Sequence, residues 1–237
     1  MKMIKCEIKD KDITIYKIGN SNFVSVIIPV RKGLPKNLDA VKNQTFKDYE
    51  IIVISGSGTP GSSHARNLGI KITKSKFLAF LDDDAYPEPD WLEQLLKAYY
   101  TGKGDVVDGE EISPKSIYFN FSKPLKNLQE KTYVNFGLYP RYVIDKVGLY
   151  DERFGKYGFN EVDCSIKIRR AGFRIIHCSK ARVHHIYEPR TLKYFPWKAF
   201  FYFTFKHPRH SLFLIMAYTP FLHSFWKKYI HQNTNLE

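Results

Sequence analysis

Three consecutive carboxylates, Asp82-Asp83-Asp84, close an apolar run from Phe77 to Leu81. Acids this close repel one another unless positive charge sits among them. A hard divalent cation with oxygen ligands, bridging to a substrate phosphate, would supply it. A second acidic group, Glu161 and Asp163, follows the glycine- and aromatic-rich stretch Gly148–Asn160 and falls in the first turn of a predicted helix. One acid there would complement the helix dipole, worth only a few tenths of a kcal/mol. Two acids, directly after a glycine loop, point to proton transfer. A third group is the glycine- and hydroxyl-rich stretch Ser55–Ser63, leading into a helix that carries Arg66. Backbone N–H groups exposed at such a junction suit a phosphate or a ribose. The stretch lacks the Gly-Lys-Ser/Thr end of a P-loop and is not a GxGxxG fingerprint. Each group also has a plainer use. The three aspartates suit a capping turn before the helix that starts near Asp90, the glycine stretch suits an ordinary turn, and Arg66 either meets a diphosphate or lies on a solvated face.

These groups need elements to hold them. Phe23–Val30 and Tyr49–Ile54 are apolar runs without polar alternation, as is Phe77–Leu81, which predicts strands buried on both faces of a parallel sheet. Between the first two lies a short amphipathic helix over 37–44. Strand, helix and strand within about 30 residues form a right-handed crossover unit. Ligands of such sheets bind outside the carboxyl ends of the strands, where Asp82 falls. Further helices are predicted over His64–Thr73, Asp90–Tyr100, Pro140–Lys146 and Glu161–Ala171. The last of these has Asn160 as its N-cap and Gly172 as its stop. Trp91 is read as core rather than as a stacking platform. Short strands are expected at Val106-Val107, 117–119, Tyr133-Val134 and Phe173–Cys178, and residues 1–21 are read as an edge extension.

Composition bounds the function. The 237 residues carry 43% hydrophobic side chains, enough for one large domain with an appendage. A net charge of +13 implies an anionic partner. No nucleic-acid-binding motif accompanies the charge, so nucleic acid is not expected. Cys6, Cys164 and Cys178 show neither metal nor disulfide spacing, which fits a reducing compartment. The charged start lacks the apolar core of a signal peptide, and no apolar run reaches the roughly 18 residues that span a bilayer. A cytoplasmic protein, peripheral at the cytoplasmic membrane face, is therefore expected. Beyond Tyr187 the composition changes. Phe200, Phe201, Phe203 and Phe205 crowd together with Lys193, Lys198 and Lys206, and apolar 212–222 and basic-aromatic 225–229 follow. Such a segment (188–237) suits an interfacial helix on anionic lipid, or a helical pair packed on the preceding 1–187.

The ordered stretches Val24-Ser25-Val26-Ile27-Ile28-Pro29, Asn43-Gln44-Thr45-Phe46, Ala65-Arg66-Asn67-Leu68-Gly69, Phe80-Leu81-Asp82-Asp83-Asp84 and Gly148–Phe154 are each weak alone. Together with Glu161-Val162-Asp163 and Arg170–Arg174 they resemble the family 2 nucleotide-sugar glycosyltransferases, across about residues 22–187. The resemblance implies an α/β fold of the GT-A type, a Rossmann-like mixed sheet flanked by helices. It implies Mn²⁺ or Mg²⁺ on the donor diphosphate, held by Asp82 and Asp84 with Asp84 favoured as the direct ligand, and His185 near the metal. The donor would lie against Pro29, Arg31, Ser55, Gly56, Arg66, Asp82 and Asp83. The base position falls on Glu161, since the usual Glu-Asp is Asn160-Glu161 here, with Asp163 the other acid of the pair. One departure stands out. The second strand of the family ends in Asp-Asp-Gly-Ser, but here it ends in Ser55-Gly56-Ser57-Gly58, which leaves the nucleotide base unassigned.

The expected reaction is metal-assisted transfer of a sugar to a hydroxyl of a lipid-linked or glycan acceptor. One base opposite the leaving group implies inversion, and retaining chemistry would require a nucleophile that the sequence does not offer. A nucleotidyltransferase and an inactive nucleotide-sugar-binding relative are the alternatives. Glu161 and Asp163 argue against the first, and the missing strand-end acids motivate the second.

Overall fold

The computed structural model describes residues 2–8, 12–56, 61–112, 133–155, 158–186 and 197–210. The three apolar runs are strands β3 (Val24–Val30), β4 (Tyr49–Ser55) and β5 (Phe77–Phe80), preceded by the hairpin β1 (Met3–Ile8) and β2 (Ile13–Ile18). Both β4 and β5 pair parallel to β3, while β2 adds antiparallel to the outer edge of β4. The edge extension is thus two strands rather than one. Beyond β5 come β6 (Ala85–Pro87), β7 (Val106–Ile112), β8 (Leu138–Pro140) and β9 (Ile175–His185). They complete one mixed sheet in the order β1-β2-β4-β3-β5-β8-β7-β9-β6.

The absence of polar alternation has a direct cause. Val26, Ile51 and Phe77 face one apolar layer, under helices α1 (Leu38–Lys42) and α3 (Trp91–Tyr100). Their neighbours Ile27, Ile52 and Leu78 face a second layer. That layer lies under α2 (Ser62–Ile72), α4 (Arg141–Val147) and α5 (Asn160–Arg170). A strand with helices on both faces has no side to present to water. Gly69 lets α2 approach closely, because a Cβ there would fall 2.5 Å from Ile27 Cγ2. Trp91 is fully buried and its indole donates to the Phe136 carbonyl at 3.3 Å, so it is core.

Some expectations are corrected. The strand expected at Phe173–Cys178 is β9, which starts at Ile175 and runs on through a bulge to His185. Tyr133-Val134 is not a strand, and the pairing partner of β5 on that side is the unforeseen three-residue β8. Asn160 is the first residue of α5 rather than its cap, which is Phe159 in the left-handed conformation (φ 64°). The strand expected at 117–119 and the segments 212–222 and 225–229 lie outside the described residues.

Helix α6 (Trp197–Lys206) packs on α5 rather than standing apart. Phe203 is fully buried among Phe154, Phe159 and Ile166, stacked on Phe159 at 5.0 Å. For these residues, packing on the preceding domain is what the structure shows.

Candidate functional site

The carboxyl ends of β4, β3 and β5 lie side by side. Pro29 and Arg31 stand at the end of β3, with Pro29 half-buried and Arg31 exposed. Ser55 closes β4, and Gly56 N–H donates to the Val30 carbonyl at 3.2 Å. A Cβ on Gly56 would collide with the Asp12 carbonyl, so the hairpin turn presses on the position where the resembling family carries an acid. The glycine stretch 57–60 is outside the described residues.

Asp82, Asp83 and Asp84 follow β5 in a turn. Asn37, at the start of α1, pins that turn by donating to the Asp82 carbonyl at 2.9 Å and to the Ala85 carbonyl. Asp82, Asp84 and His185 offer ligand atoms that all lie within 4.8 Å of one another. Two carboxylates and one imidazole suit Mg²⁺ or Mn²⁺, with room left for phosphate oxygens. His185 arrives from β9, which pairs antiparallel with β6 just after the acidic turn. Its Nε2 lies 3.0 Å from Asp84 Oδ1, and its Nδ1 lies 3.1 Å from Glu111 Oε1. Burial would lower the pKa of this imidazole, but the hydrogen bonds to Asp84 and Glu111 and the charge of Asp82 raise it to about 9. Asp82 is raised, chiefly by desolvation, against the pull of Arg66. Asp83 is raised by burial and by its two acidic neighbours.

Arg66 does not lie on a solvated face. Its side chain is 3% exposed, and its guanidinium bridges two carboxylates, donating from Nη1 to Glu161 Oε1 at 2.6 Å and from Nη2 to Asp82 Oδ1 at 2.9 Å. Its Nε has no hydrogen-bond partner among the described residues. Burial would lower its pKa, yet Glu161 and Asp82 raise it, so the charge is permanent. The Asn160 amide closes the ring, accepting from Arg66 Nη1 at 2.9 Å and donating to Glu161 Oε2 at 2.5 Å in its better orientation. The next residue, Asn67, holds the opposite wall: its amide exchanges hydrogen bonds with the backbone of Tyr150 at 2.9 Å in both directions. The Ala-Arg-Asn stretch therefore joins the acidic turn, helix α5 and the glycine loop.

The structure brings Glu161 to Asp82 through Arg66 and turns Asp163 away. Asp163 is fully buried on the other side of α5, where its Oδ1 meets His207 Nε2 and Lys206 Nζ, each at 2.7 Å. Of the two acids, Glu161 alone lies beside the Arg66–Asp82 pair, as residues two apart in a helix diverge by about 200°. Sequence reasoning did not pick out Asn37, Asn67 or Glu111. Asn67 stood inside a quoted motif, whereas Glu111 had no local signal. An apolar cleft of about 400 Å³ lined by Phe23, Phe46, Leu96 and Tyr100 opens near the start of β3, away from these groups.

With this geometry in view, comparison with known proteins decides the family. The model of glycosyl transferase family 2 matches residues 56–183, more than half of the chain. The chain belongs to that family. A glucosyl-dolichyl phosphate glucuronosyltransferase of Haloferax volcanii is 26% identical over 199 residues, covering 73% of this chain and 63% of the relative. The glycosyltransferase AglE of the same organism is 34% identical over 117 residues, 37% of this chain and 38% of that protein. The family 2 chain thus spans less than two-thirds of the length of these relatives. Among solved structures, GalNAc-T7 with UDP, GalNAc and Mn²⁺ superposes with a TM-score of 0.56 at 15% identity, over 76% of this chain and 47% of that one. Staphylococcus aureus TarS with UDP gives 0.53 at 16% identity, over 70% and 61%. The fold is of the GT-A type.

Proposed function

We propose that this chain transfers a sugar from a nucleoside diphosphate donor to an acceptor hydroxyl, with inversion at the anomeric carbon. The observation that carries this reading is the shared guanidinium of Arg66, which sets a carboxylate of the metal cluster and a carboxylate in the cleft side by side. Asp82, Asp84 and His185 would hold the divalent cation, which supplies charge stabilisation for the departing diphosphate. Glu161 accepts the proton of the acceptor hydroxyl. The acceptor oxygen then bonds to the anomeric carbon as the bond to the diphosphate oxygen breaks, and that electron pair leaves with the nucleotide. Arg66 keeps Glu161 aimed, because its buried guanidinium holds the carboxylate at 2.6 Å. The donor lies against Pro29, Arg31, Ser55, Gly56 and Asp83 at the strand ends. Asp163 is assigned to holding α6, not to proton transfer. Cys164, buried with its thiol pushed up to about 12, offers no thiolate for a retaining route.

The acceptor is assigned to the lipid-linked class, and the support is twofold. A relative is named for a dolichyl phosphate substrate. The outer face of α6 also bares Phe201 and Phe205, 64% and 87% exposed and one helical turn apart. Among the described residues no helix is long and apolar enough to cross a membrane, and this reading has the chain contact an anionic membrane surface through that face, at the cytoplasmic side. One observation favours a second reading, an inactive nucleotide-sugar binder: the strand-end acids are replaced by Ser55 and Gly56.

The test is a screen of nucleotide sugars for Mn²⁺- or Mg²⁺-dependent release of free nucleotide, with and without polyprenyl phosphate acceptors. Release with at least one donor is expected. Binding without release for every donor and acceptor would favour the inactive reading.

A further inference from the structure

Glu111 is a carboxylate to which the reaction above gives no part. It lies on β7, remote in sequence from the acidic turn, yet its Oε1 is 3.1 Å from His185 Nδ1, while the other ring nitrogen faces Asp84. A carboxylate can only accept. Facing Nδ1, it keeps a proton there, and in the neutral imidazole the lone pair is then on Nε2, the atom that faces Asp84. Carboxylate–histidine pairs of this kind orient metal-binding imidazoles and raise their basicity.

The backbone is built to make this contact. Before the bulge in β9, Ile176 and Cys178 face the α3 layer; after it, Ala181 and Val183 do. The step from Cys178 to Ala181 is an odd number of residues, so the faces of β9 exchange there. Without it His184 would point toward Glu111. With it, His185 does, while His184 turns outward to Glu88. Gly109 on β7 permits the bulge, because a Cβ there would fall 2.8 Å from the Ala181 carbonyl and 2.6 Å from that of Phe136. Two further contacts fix the pair. Asn135 Nδ2 donates to Glu111 Oε2 at 3.3 Å, and the Phe136 ring packs edge-on to the imidazole, 5.2 Å between centroids at 88°.

We infer that Glu111 is a positioning residue that fixes the tautomer and plane of His185, so that Nε2 serves as a ligand to the divalent cation beside Asp82 and Asp84. The inference rests on the metal-dependent reading above.

Mn²⁺ binding by the full chain, measured by calorimetry without any donor, tests it. Wild type is expected to bind and Asp84→Asn to lose binding. Glu111→Ala should weaken affinity about 10–100-fold, the usual effect of losing such a partner. Glu111→Gln, whose amide oxygen still accepts from Nδ1–H, should restore most of it. Wild-type affinity in a folded Glu111→Ala, with Asp84→Asn dead, overturns the role of Glu111 and leaves the metal site standing. No Mn²⁺ binding by wild type removes both. Should Glu111→Ala not fold, ¹⁵N spectra of wild type with Mg²⁺ decide: a proton on Nδ1 of His185 is expected, and a proton on Nε2 overturns the inference.

Discussion

At Arg66 a single buried guanidinium serves two carboxylates that act on different substrates. In the proposed reaction Asp82, after β5, belongs to the donor side and Glu161, on α5, to the acceptor side; both lie against Arg66. Burying an arginine is costly unless its partners are fixed, so the pairing constrains all three side chains at once. The two acids of α5 should therefore fail differently. Glu161→Gln retains size and hydrogen bonding to Arg66 but takes up no proton. Its kcat should fall about 10²–10⁴-fold with donor KM little changed, as steady-state kinetics would show. Asp163→Asn should instead destabilise, by about 3 kcal/mol as for a broken buried pair, and lower Tm by several degrees. A folded but inactive Asp163→Asn beside an active Glu161→Gln would reverse the two roles. The sequence showed that the two side chains diverge, because helix geometry alone requires it. Which one faces the cleft was not legible from spacing, because the partner of Asp163, His207, is 44 residues away. The pairing of Glu111 with His185, 74 residues away, escaped for the same reason.

The elements repeat this division. Strands β3, β4 and β5 were legible because burial on both faces forces continuous apolar runs. Strand β8 was not, since three residues carry no period, and β9 was legible only as far as Cys178, where the bulge breaks its pattern. Helix α6 read equally well as a membrane helix or a packed one, because both need aromatics. Its docking depends on charge as well as on Phe203. Asp151 accepts from Tyr202 Oη at 2.8 Å and Lys206 Nζ at 2.6 Å, both on α6, and from Arg153 on its own turn. Lys206 also faces Asp163. Burial would raise the Asp151 carboxyl, but these hydrogen bonds hold it well below the usual carboxylate range. A depressed acid stabilises fully above its unfolded pKa, near ~3.9, and loses that contribution as pH falls toward the folded value. Lys206 is raised, since its carboxylate partners outweigh burial, so its contribution persists up to its unfolded pKa near ~10.4 and is lost above the folded value. Thermal melts of wild type and Asp151→Asn should thus differ by a constant margin from about pH 5 to 8, closing below about pH 4. A margin that widens in acid would show that Asp151 does not anchor α6.

For the whole molecule, the ordered motifs made the family legible where no single motif could, and the family model spans the acidic turn, helix α5 and most of β9. In the proposed membrane contact a net charge of +13 would draw the chain toward anionic lipid, and the outer face of α6 offers two exposed phenylalanines while its inner face packs on α5. The two contributions respond to different perturbations. Charge attraction weakens with salt, as the Debye length shrinks from ~10 Å at 0.1 M to ~3 Å at 1 M. Apolar insertion does not. Burying both rings should contribute about 2–4 kcal/mol, so Phe201→Ser with Phe205→Ser should lower vesicle partitioning roughly 30-fold or more, even at high salt. Co-sedimentation with phosphatidylglycerol vesicles at both salt concentrations measures this, with a chain ending at residue 210 run beside it. If the double variant sediments like wild type and the shortened chain does not, the contact belongs to residues 211–237. If both sediment like wild type at low salt and neither does at high salt, charge alone brings the chain to the membrane, and the two phenylalanines have another partner.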